Sequence, residues 1–78
     1  MKVYPENLVT DEVKEALKHV VSIHPSVCQV VYDIHCRWHY LDSEFESIPF
    51  DDRVDVDILE KASDSLSILP CAFSLSFE

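Results

Sequence analysis

His35, Cys36 and His39 bring two imidazoles and a thiol within five residues of one another. If residues 28–40 are helical, the two histidines stack one turn apart and could grip a zinc ion, with a cysteine or aspartate completing the site. If the stretch is a strand, about 3.3 Å per residue sets them roughly 13 Å apart with Cys36 on the opposite side, and one metal cannot join them. A thiol enzyme would also need Cys36 beside an imidazole and a pocket that stabilises an anion, whereas adjacent strand positions point apart. Cys28, Cys36 and Cys71 are odd in number and lack paired spacing, so they read as buried free thiols and not as a disulfide framework. A small metal-binding or regulatory domain using His35, Cys36 and His39 is the second functional reading.

Asp51, Asp52, Asp55 and Asp57 offer another chemistry, the paired carboxylates of a hydrolase. Such a pair needs a cleft that holds the two acids at a defined separation, and 78 residues leave little material for one. The alternation Asp55-Val56-Asp57 reads more simply as acids turned to water around an inward apolar residue. The chain has no glycine. Phosphate-cradling loops, dinucleotide fingerprints, nucleophile elbows and calcium loops all place glycine where backbone approaches a ligand or turns at positive φ, so none can be drawn here. The expectation is a non-catalytic protein with no cofactor and no metal, whose turns rely on four prolines and on Asp/Ser pairs.

Charge points to a partner. Residues 42–64 hold nine carboxylates against Arg53 and Lys61, seven of the nine net negative charges of the whole chain. A concentrated negative field steers encounters with basic surfaces and rejects anionic ligands. Asp42, Glu44, Glu46, Asp51, Asp52, Asp55 and Asp57 could imitate spaced phosphates and occupy a groove built for nucleic acid, with Phe45 and Phe50 as apolar anchors. The leading reading is thus a small acidic protein that neutralises or inhibits a basic, nucleic-acid-acting protein, in the manner of immunity proteins, antitoxins or nucleic-acid mimics. It binds no nucleic acid directly. A homodimer paired through a sheet edge or face is the third reading.

The elements that must position these residues can be read in outline. With 47% hydrophobic residues, including one tryptophan, three tyrosines and four phenylalanines, the chain can form a core and is expected to be a single domain over residues 1–78. No stretch suits a membrane span, and the Met-Lys-Val start lacks the apolar run of a signal peptide, so a cytoplasmic location is expected.

Residues 2–4 suggest a very short strand ended by Pro5. Thr10 is a candidate N-cap for a helix carrying Val13, Ala16, Leu17, Val20 and Val21 on one stripe and ending before Pro25. Residues 28–40 alternate almost without a break and are rich in strand formers, which favours a bent strand over the helical alternative. Residues 44–48 suggest a returning strand. Asp55 or Asp57 caps a second helix with Ile58, Leu59, Ala62, Leu66 and Leu69 inward. Cys71, Phe73, Leu75 and Phe77 form the core side of a last strand. The predicted fold class is α+β: two helices on one face of a small antiparallel or mixed sheet, in the β-α-β-β-α-β order of ferredoxin-like domains.

Overall fold

In the computed structural model, which describes residues 1–49 and 51–77, the chain is an α+β layer. Strands β1 (Lys2–Tyr4), β2 (Gln29–Tyr32), β3 (Trp38–Leu41), β4 (Ser47–Ile48) and β5 (Cys71–Ser76) form one sheet in the order β1-β5-β2-β3-β4. Every neighbouring pair is antiparallel. Helix α1 (Asp11–Ile23) follows β1 after a single 3-10 turn, and α2 (Val56–Ser65) connects β4 to β5. The stretch 28–40 is neither one bent strand nor a helix. It doubles back at residues 33–37, giving β2 and β3 and making the series one strand longer than expected. The strand expected over 44–48 shrinks to two residues because residues 42–46 are spent on a second turn.

Strand periodicity divides the sheet into two faces. One register row runs Leu75 to Val3, and others join Phe73, Val30 and Tyr40, or Cys71, Tyr32 and Trp38. These side chains meet Val13, Ala16, Leu17 and Val20 of α1 and Leu59 and Ala62 of α2 in one core, so both helices cover the same face. Phe73 is fully buried at the centre of the sheet. Removing such a side chain from water contributes about 1.5–3 kcal/mol. The outer face is the row Tyr4, Ser74, Gln29, Leu41 and Ser47 with the row Ala72, Val31 and His39, mixed in polarity as a solvated face should be.

The helices begin where capping chemistry predicts. Thr10 accepts the Val13 N–H through its side chain at 3.1 Å, and the same hydroxyl lies 2.6 Å from Ser65 Oγ, tying the start of α1 to the end of α2. Asp55, not Asp57, caps α2 by accepting the Asp57 N–H at 2.9 Å. The Asp55 N–H in turn donates to His19 Nε2 on α1 at 2.8 Å. Helix α1 stops at Ile23, two residues before Pro25. Leu69 and Phe77, expected inward, are about half exposed because both lie just outside the elements that would have turned them to the core. No helix among the described residues is long and apolar enough to cross a membrane.

Candidate functional site

Two hairpin turns carry the residues singled out above, and both are built the same way. In the first, Asp33 Oδ1 accepts the N–H groups of His35 at 2.8 Å and Arg37 at 3.0 Å. The Cys36 N–H donates to Asp33 O, and the Asp33 N–H to Arg37 O. In the second, Asp42 Oδ1 accepts from Glu44 at 2.8 Å and Glu46 at 3.0 Å, the Phe45 N–H donates to Asp42 O, and the Asp42 N–H to Glu46 O. The fourth residue of each turn is left-handed, Cys36 at φ 60° and Phe45 at φ 61°. Short hairpin loops normally use glycine there, because a side chain in that region costs roughly 1–2 kcal/mol. Lacking glycine, the chain is expected to turn on prolines and Asp/Ser pairs and to favour wider loops over tight hairpins. It instead occupies two such left-handed positions and lets an aspartate organise each loop.

The first turn rearranges the metal-and-thiol group. His35 lies in the loop, while His39 falls in the outer-face row of β3 with its Nε2–H donating to Asp33 Oδ2 at 2.6 Å. That bond, with the N–H groups of Arg37 and His35 and the Arg37 charge, holds the Asp33 carboxyl down at about 2. Cys36 turns to the helix side, where it lines a hollow with Tyr32 and Trp38. Thiol and imidazole therefore work on opposite sides of the hairpin. Among the described residues, no group of three or more His, Cys, Asp or Glu side chains is close enough to hold a metal ion. The three cysteines are free, but only Cys71 is buried, and burial pushes its thiol up; Cys28 is half-buried, and Cys36 is exposed because it left the strand for the turn.

The acidic residues separate into two groups by what their carboxylates already do. Asp42 organises its turn. Asp51 accepts the Arg53 N–H at 2.9 Å and pairs with the Arg53 guanidinium at 2.7 Å. This pair holds the Asp51 carboxyl at about 2 and raises Arg53. Asp55 caps α2. Glu44, Glu46, Asp52 and Asp57 are exposed and make no ion pair among the described residues. Phe45 projects between Glu44 and Glu46 and is 73% exposed, the most exposed large apolar side chain among the described residues. Phe50, the other expected anchor, lies outside the described residues.

No family model, curated protein or solved structure matches the chain. Sequence reasoning reads a turn at Asp42-Ser43 but starts the returning strand at Glu44, whereas the Asp42 carboxylate holds Glu44, Phe45 and Glu46 in the loop itself. The repeated spacing of an aspartate four residues before the next strand-facing position, in Asp33-Arg37 and Asp42-Glu46, was the available signal. The missing glycine masked it.

Proposed function

We propose that this chain is a non-catalytic binding protein whose acidic turn and α2 approach, residues 42–57, dock on the basic surface of a nucleic-acid-acting protein and neutralise it. The observation that carries the reading is Phe45. Its left-handed backbone would be relieved by glycine and its ring would be relieved by burial, yet the chain holds it out at a hairpin tip between two free carboxylates. Backbone strain kept at an exposed position is an outlier that points to use. An aromatic ring supplies the affinity that surface carboxylates lack, while Glu44, Glu46, Asp52 and Asp57 supply steering and register.

Asp42, Asp51 and Asp55 hold the loops on which the contacts ride, and this rigidity lowers the ordering cost of association. A chain with free thiols, one of them exposed, suits the reducing cytoplasm. The test is comparative capture from the cells that make the protein, using the native chain and Phe45→Gly. Support is a strongly basic protein held by the native chain, released by duplex DNA and lost with Phe45→Gly. An identical capture by both chains, or partners that DNA does not displace, overturns the reading.

A further inference from the structure

We propose that the groove between the β2–β3 hairpin and α2 is a receptor for a single arginine side chain presented by another protein, a site independent of the acidic turn at residues 42–46. The groove is open, about 420 Å³, and runs along one stripe of α2, with Val56, Leu59, Glu60, Ser63 and Asp64 facing Tyr32, Cys36 and Trp38. Its floor is aromatic. The Tyr32 and Trp38 rings lie 4.5 Å apart, tilted by 34°, and Trp38 is only partly buried.

The floor is also fixed in place. Trp38 Nε1–H donates to Ser63 Oγ at 3.1 Å, and Ser63 Oγ–H donates to Leu59 O at 3.0 Å, so the indole is pinned to the helix with its polar atom satisfied. Among the described residues, no cation lines the groove.

The rim carries the opposite need. Glu60 and Asp64 are exposed, four residues apart, and therefore neighbours about 5–6 Å apart on the helix surface. Neither makes an ion pair among the described residues. Lys61, three residues before Asp64, lines a neighbouring hollow with Glu12, Asp64 and Ser65 but makes no ion pair with Asp64 among the described residues. Like charges at this spacing repel, and Asp64 sits in the last turn of α2, where the helix dipole disfavours an acid and no basic residue is present. A cation seated between the two carboxylates relieves both conflicts.

Arginine fits the combination better than other cations. Its planar guanidinium stacks on an aromatic face while donating in a fork to carboxylates, and its aliphatic stem would lie on Val56, which is 58% exposed at the groove mouth. An anionic or purely apolar ligand would leave Glu60 and Asp64 facing it with nothing to balance them.

Trp38 is the only tryptophan, so its fluorescence reports the groove directly. The experiment titrates a blocked Ala-Ala-Arg-Ala-Ala peptide into the full chain, with otherwise identical lysine and glutamine peptides beside it. Saturable change with the arginine peptide is expected, with tighter binding than lysine and no saturable change with glutamine. The double variant Glu60→Gln/Asp64→Asn weakens the arginine affinity by about tenfold. Glu44→Lys/Glu46→Lys, at the opposite end of β3, leaves it largely intact. Absence of saturation, equal binding of the lysine or glutamine peptide, or loss through the turn variant with no loss through the groove variant overturns the proposal.

Discussion

The turns at residues 33–37 and 42–46 share a hydrogen-bond plan and a left-handed fourth residue, yet they sit at opposite ends of β3 and carry opposite side chains. The first presents Ile34, His35 and Arg37, and its aspartate is bound further by His39 and Arg37. The second presents Glu44, Phe45 and Glu46, and among the described residues its aspartate side chain accepts only from the loop's own N–H groups. One turn satisfies its charge internally. The other leaves its charge facing outward. Shared geometry thus separates what the fold requires, the aspartate and the bend, from what each loop displays.

The largest expected effect falls on association. With the basic partner identified by capture, Glu44→Lys/Glu46→Lys should slow the on-rate at low salt by about tenfold or more, and added salt should shrink the difference. Arg37→Glu in the other turn should leave the on-rate unchanged or slightly raised. Equal slowing by the two changes in stopped-flow mixing would erase the distinction between the turns.

Next comes stability. Asp33→Ala removes a carboxylate that serves two backbone N–H groups, His39 and Arg37, whereas Asp42→Ala removes one that serves two N–H groups alone. Thermal unfolding should show both variants destabilised and the Asp33 variant more so. The reverse order would mean that His39 and Arg37 add nothing to the first turn.

A smaller and opposite effect belongs to the fourth positions. Cys36→Gly and Phe45→Gly should each raise the melting temperature, by about 4–8 °C if relief of the left-handed side chain is worth about 1 kcal/mol. Only Phe45→Gly should also lose the partner. A fall in melting temperature for both would show that the side chains hold the turns together instead of straining them.

The smallest effect is in acid. The Asp33 carboxyl titrates at about 2 in the fold against an ordinary 3.8, so the folded state holds its proton more weakly than the unfolded chain does. Its contribution is complete above about pH 4 and is lost as pH falls toward 2. Stability measured across that window should fall less steeply in Asp33→Asn than in the native chain. Asp51, paired with Arg53 and also at about 2, retains its own acid dependence in that variant.

Much of this architecture was legible from periodicity and capping. Thr10, the apolar stripe from Val13 to Val20, the alternation from Cys71 to Leu75 and the stop before Pro25 each reported a local preference that the packed structure kept. Residues 28–40 misled because Asp33 to Arg37 continue the alternation of their neighbours while folding as a loop, and the residue that bends the loop is a cysteine. The arginine groove was not legible at all. It depends on Trp38 and Ser63, 25 residues apart, meeting across the layer, and no spacing within either segment announces that contact.

The two border strands have a consequence for how copies of this chain meet. Strand β1 has three residues and runs into Pro5, and β4 has two and runs into Pro49. A neighbouring molecule trying to lengthen the sheet would find only a rung or two of free backbone before an imino acid with no N–H to offer. Both borders therefore present little free backbone for β-extension.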